Sequence, residues 1–153
     1  MQNTRNMDKL GEALVELISF LNSPQRDDAL LHEAGVSLDR ALFPLLVGLG
    51  MKGPLGVAEL ADRVGRDHTT VSRQLAKLES MALIERCATD ADRRRRAARL
   101  TAEGWAIVDA ITQARRRLLS QALAGWSEAD RAALASTFRR FADALSEFAQ
   151  TRA

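Results

Sequence analysis

Two short apolar helical stripes separated by a single glycine constrain this chain more than any other feature. From Asp67 onward Val71, Leu75 and Leu78 recur at i, i+4 and i+7, which aligns them along one side of a helix and makes that side the buried one. Just upstream, residues 57–64 read as a shorter helix with Leu60, Ala61 and Val64 turned inward. Ala61 is small enough to let the two helices cross closely. Gly65 supplies the turn between them through a positive φ that side-chain-bearing residues avoid. Asp67 is the expected N-cap of the second helix, because its carboxylate accepts from the free amides of the first turn and suits the positive end of the helix dipole.

The outward side of the second helix has its own composition. His68 and Thr69 occupy the first turn, Thr70, Arg73 and Lys77 recur at helical spacing, and Gln74 lies between the two stripes. No carboxylate follows Asp67 until Glu79. Such a side suits phosphates and base edges: arginine donates two bonds to guanine, glutamine exchanges two with adenine, and threonine offers a hydroxyl to phosphate or a methyl to thymine. Any amphipathic helix pair has one apolar and one polar side, so the next segment weighs in the decision. Residues 83–88 are short, partly alternating and strand-like, 89–92 are polar and turn-forming, and 96–100 return as a second strand. Arg86, Arg93, Arg94, Arg95, Arg96 and Arg99 stand here against Glu85, Asp90 and Asp92. Four consecutive arginines repel one another unless a polyanion relieves them. A hairpin with arginines at its tip, beside such a helix, suits the narrow and negative minor groove. The whole from about residue 37 to 101 reads as a winged helix-turn-helix.

These residues resemble the MarR family of bacterial transcription regulators. The similarity is carried by VAELADRVGRDHTTVSRQLAKLESMALIER and then ATDADRRRRAARLTAEG, with the family's D-R-R wing signature on Asp92, Arg93 and Arg94. The resemblance implies that Asp92 braces Arg94, which enters the minor groove, and that the protein pairs through its terminal helices. It further implies a small aromatic effector held between those helices and the winged core, near Leu42, Phe43, Leu46, Trp105 and Val108; read without the resemblance, the same residues favour plain core. One position departs from the family's pattern: Ala82 stands where glycine is usual, just after the second helix, which leaves that helix without the residue best suited to a left-handed cap.

The remaining chain reads as helices. Residues 4–21 carry Leu10, Leu14, Leu17, Ile18 and Leu21 on one stripe, Ser23 and Pro24 open a short second helix, and Gly35 ends it. A third helical segment, 37–51, contains Pro44 and is therefore expected to kink or to start late. Residues 51–56 read as a turn rich in glycine and proline. Thr101 is placed to cap a long helix with Trp105, Val108, Ile111, Ala114 and Leu118 as its buried stripe. Ser127 and Asp130 form a capping-box variant opening a last helix, on which Leu134, Phe138, Phe141, Leu145 and Phe148 are spaced by four, three, four and three. That heptad-like stripe asks for a partner helix. The first helix of the same chain, that of a second copy, or both would serve; the resemblance favours a homodimer. The expected architecture is mainly α with a small β-wing (α+β): N-terminal helices over 1–36, the winged helix-turn-helix over 37–101 and C-terminal helices over 102–153.

Charge and composition narrow the function. The net charge is only +2, so any basic surface must be local. Residues 55–101 hold ten Lys and Arg against seven Asp and Glu, while 127–153 hold four of each. No apolar run reaches the roughly 18 residues that a bilayer span needs, and no signal peptide is evident, which points to the cytoplasm. The single Cys87 excludes an intrachain disulfide and reads as a half-buried hydrophobe, and His32 and His68 lack metal-ligand spacing. Neither a cofactor motif nor a nucleophile with base and orienting partner is present, so no enzyme is expected. Two functions stay in competition: a regulator, in its family most often a ligand-responsive repressor, binding palindromic double-stranded DNA, and a winged helix kept as a protein-interaction module.

Overall fold

The computed structural model describes residues 1–89 and 92–152, the side chains of Thr89, 92–96 and Arg152 excepted. The chain divides into two compact units, Met1–Arg115 and Arg116–Ala153. In the first, α1 (Gln2–Leu21) and α2 (Pro24–Glu33) precede α3 (Phe43–Lys52), α4 (Val57–Val64) and α5 (His68–Ser80). A hairpin of β1 (Ile84–Thr89) and β2 (Asp92–Leu100) follows, and α6 (Ala102–Ala122) runs from the first unit into the second. The last helix, α7 (Glu128–Arg152), belongs to the second unit.

The expected start and stop signals act at several helix ends, while Ser23 stands at the N-cap of α2 without a side-chain cap bond, its hydroxyl donating to Gln25 Oε1. Pro44 falls in the first turn of α3, so the helix starts late rather than kinking. Gly35 and Gly65 close α2 and α4 with φ of +67° and +66°. Thr101 caps α6 through its Oγ1, which accepts from the Gly104 amide at 3.1 Å, and Ser127 Oγ accepts from the Asp130 amide at 3.1 Å. The core of the first unit joins Leu45, Leu46 and Leu49 of α3, Leu60 and Ala61 of α4, and Val71, Leu75 and Leu78 of α5 to Leu83, just before the hairpin, and to Ile84, Ala98 and Leu100 within it. All three apolar residues that define the α5 stripe are fully buried.

Three local expectations are corrected. The segment before α4 is more than a turn: Leu55 and Ala98 exchange backbone bonds of 3.1 and 2.9 Å, adding a bridge to the hairpin. The second strand begins at Asp92 rather than at Arg96, so the arginine run, expected at the hairpin tip ahead of that strand, lies within β2. Its register passes from Ala88↔Arg96 to Thr89↔Asp92, an irregularity with three extra residues on β2. Consecutive arginines hide such a strand, since their side chains give no apolar alternation to read. On α6 the buried stripe is Gly104, Ile111 and Ala114, with Ile107 and Val108 packed against the core, while Trp105 is 45% exposed. A Cβ on Gly104 would collide with the Leu83 carbonyl oxygen, so that backbone approach sets the rotation of the helix and turns the neighbouring tryptophan outward.

Candidate nucleic-acid interface

The Asp67 cap anchors the start of α5. Asp67 Oδ1 accepts from the Thr70 amide at 2.8 Å, and the Thr70 hydroxyl donates to Oδ2 at 2.6 Å. These two bonds, the hydroxyl's first, hold the Asp67 carboxyl below its ordinary pKa. The Thr70 hydroxyl is thereby engaged with the cap, leaving Thr69 as the free-standing threonine of the exposed first turn.

Beyond the cap, His68, Thr69, Arg73 and Lys77 are all exposed, as the periodicity implies. Ser72 and Ala76 are exposed on the same face. Their place at 69, 72, 73 and 76 was available from helical spacing, but neither carries a charge or amide to draw notice. Ala76 gives the centre of the face a methyl able to meet thymine. Gln74 differs from its neighbours: it is half-buried, and its Oε1 accepts from Arg66 Nη1 at 2.9 Å.

The end of α5 answers the question that Ala82 poses. The Ala82 amide donates to the Glu79 carbonyl at 2.9 Å and the Leu83 amide to the Leu78 carbonyl at 3.0 Å, a complete Schellman pair. Ala82 adopts φ +58°, the one positive φ at a non-glycine position among the described residues. Thr101 then fastens the corner, donating from Oγ1 to the Ala82 carbonyl at 2.7 Å and from its amide to the Leu83 carbonyl at 3.1 Å. The hairpin is thus joined rigidly to the helix end that it follows.

Charges in the hairpin divide into two sets. Arg86 meets Glu79 of α5 at 3.4 Å, and Arg99 meets Glu85, its cross-strand partner, at 2.7 Å. These two arginines tie the hairpin to itself and to α5. The side chains of Asp92, Arg93, Arg94, Arg95 and Arg96 lie outside the described residues, and so does the expected bracing of Arg94 by Asp92. Cys87 is half-buried opposite Ala97.

The other candidate positions fall in different surroundings. Leu42 and Leu46 are buried in the core, Val108 packs against it, Phe43 is half-buried and Trp105 is exposed. On α1, Leu14 and Leu17 are half-buried and Leu10 is exposed. On α7, Leu134, Phe138, Leu145 and Phe148 are exposed, Phe141 is half-buried, and the Phe138 and Phe141 rings meet at 6.5 Å. Among the described residues no His, Cys, Asp and Glu group could hold a metal ion, and no helix is long and apolar enough to cross a membrane.

Comparison with known proteins agrees with this geometry. The family model described as "MarR family" matches residues 37–95, from the approach to α3 into the arginine run. An uncharacterized HTH-type transcriptional regulator of Bacillus subtilis, YxaD, is 34% identical over 112 residues, covering 73% of this chain and 78% of its own. The fold is shared with a MarR family protein from Bacillus stearothermophilus at a TM-score of 0.78 and 20% identity, over 94% of this chain and 97% of that one. It is shared also with Bordetella bronchiseptica BpsR, whose DNA binding is regulated by 6-hydroxynicotinic acid, at 0.56 and 22% identity over 88% and 98%. A capped helix with a basic outward face, a hairpin joined to its end, the matched family model and a relative alike over most of both chains lead to one conclusion: the chain belongs to the MarR family of DNA-binding transcription regulators.

Proposed function

We propose that the protein is a repressor that binds a palindromic operator as a homodimer and releases it on binding a small aromatic effector. One observation carries the DNA reading: α5 buries Val71, Leu75 and Leu78 and turns out Thr69, Arg73, Ala76 and Lys77, with no carboxylate on that face before Glu79. In this reading Arg73 addresses base edges and Lys77 phosphate, while Arg93, Arg94, Arg95 and Arg96 supply charge to the adjoining minor groove. Pairing is supported by the apolar stripes on the helices of 1–36 and 102–153: Phe138, Leu145 and Phe148 are 49%, 49% and 57% exposed along one stripe, and exposed apolar patches of this kind mark interaction surfaces. A twofold pair sets two recognition helices about one DNA turn apart, roughly 34 Å, and so reads an inverted repeat. The regulation of BpsR by 6-hydroxynicotinic acid supports an aromatic effector by analogy, with Phe43, Trp105 and Val108 as the side chains that a ring would meet.

The test is a mobility-shift assay on the intergenic DNA beside the gene, followed by footprinting and a salt titration. The expected result is a protected inverted repeat with affinity that falls steeply as salt rises. Binding that is absent, or nearly independent of salt, would leave the protein-interaction module as the better account.

A further inference from the structure

Arg66, in the turn between α4 and α5, makes two bonds from a single nitrogen. Its Nη1 donates to the Ala41 carbonyl at 2.6 Å and to Gln74 Oε1 at 2.9 Å. Both acceptors lie in other elements: Ala41 in the lead into α3, and Gln74 one helical turn after Thr70 in α5. A guanidinium has no acceptor, so the Gln74 atom facing it must be the amide oxygen, and chemistry alone fixes the amide's orientation. Arg66 and Gln74 are both half-buried, in contrast to the exposed Arg73 and Lys77.

We infer that Arg66 and Gln74 form a clamp that positions the recognition helix, and that Gln74 does not read a base. Reading adenine requires glutamine to accept from N6 with its oxygen while donating to N7 with its nitrogen. Here the oxygen is drawn toward a cation on the inner flank of the helix, and charge-assisted bonds are among the stronger ones a side chain makes. The reading of bases then falls to Thr69, Arg73 and Ala76 at the centre of the exposed face. Through Ala41 the clamp also ties α5 to the segment carrying Leu42 and Phe43. The inference rests on α5 being the DNA-reading helix, as proposed above.

The test combines melting without DNA with binding to a panel of operators, each changed at one base pair, for Arg66→Ala, Arg66→Lys, Gln74→Ala, Gln74→Glu and the Arg66→Ala/Gln74→Ala pair. Each alanine variant is expected to lower Tm by roughly 3–6 °C, with the pair losing clearly less than the sum of the two. Gln74→Glu should keep or raise Tm, because a carboxylate accepts from Arg66 more strongly, and Arg66→Lys should recover part of the loss. On the panel, Gln74→Ala should weaken every operator by a common factor and leave the pattern of base preference unchanged. Additive Tm losses would overturn the clamp. Loss of preference at one base pair in Gln74→Ala, with the pattern kept in Arg66→Ala, would restore Gln74 as a base reader. Failure of the wild type to bind any operator would defeat the DNA reading instead, while the melting cycle would still decide the clamp.

Discussion

Ala82 shows how one residue can oppose the geometry it must adopt. The Schellman closure requires a left-handed residue after α5, and an L-residue with a Cβ pays about 1–2 kcal/mol to be there. Ala82→Gly should therefore stabilise the protein by up to about 1 kcal/mol once the greater entropy of an unfolded glycine is subtracted from the relieved strain, and raise Tm by up to roughly 2–4 °C in thermal melts. An unchanged or lower Tm would mean that the position is relaxed as alanine. Asp67 offers a second test at this scale. Its folded pKa is depressed by the Thr70 hydroxyl and amide, so its ionised form contributes stability above the unfolded pKa, which is lost as pH falls through the folded value. Asn also caps a helix but does not titrate, so wild type and Asp67→Asn should differ by a constant Tm above about pH 5 and converge below about pH 4. Parallel melting curves throughout that acid range would refute the assignment.

At the scale of elements, the recognition helix and the hairpin are expected to contribute differently to binding. Arg73 projects from the exposed face of α5, so Arg73→Ala should cost about 1–3 kcal/mol per half-site and relax preference at a particular base pair. Arg94→Ala should weaken many sequences together and flatten the plot of log affinity against log salt by about one unit per lost contact. Asp92→Ala should reproduce part of that loss although it removes a negative charge, because an unbraced Arg94 surrenders more freedom on binding. Fluorescence anisotropy across a salt series distinguishes these outcomes. Tighter operator binding by Asp92→Ala at moderate salt would show that the hairpin acts as a charged loop alone.

For the whole molecule, the exposed apolar stripe of α7 carries the prediction. Leu145→Asp with Phe148→Asp places two charges where a dimer would bury apolar area. The double variant should sediment as a monomer and bind the operator far more weakly, since two half-sites no longer act together. A monomeric wild type in sedimentation velocity would remove the homodimer from the account. Binding that survives unchanged in a monomeric variant would show that each copy reads its half-site alone.

Much of this protein followed from its residues one after another, because local rules govern those parts. The Val71, Leu75 and Leu78 stripe, the Asp67 cap, the Gly65 turn and the late start at Pro44 each depend on neighbours within a turn or two of chain, and each stands where periodicity and capping chemistry put it. The outward face of α5 was legible for the same reason. What the tertiary structure decided involves groups far apart in sequence. The meeting of Gly104 with the Leu83 carbonyl rotates α6 and exposes Trp105, against an apolar pattern that made tryptophan the obvious core residue. Arg66 reaches 25 residues back to Ala41 and eight forward to Gln74, and on those two bonds the proposed clamp rests. Neither outcome is written in a window of sequence, since a close backbone approach and a shared hydrogen-bond donor exist only once the elements have packed.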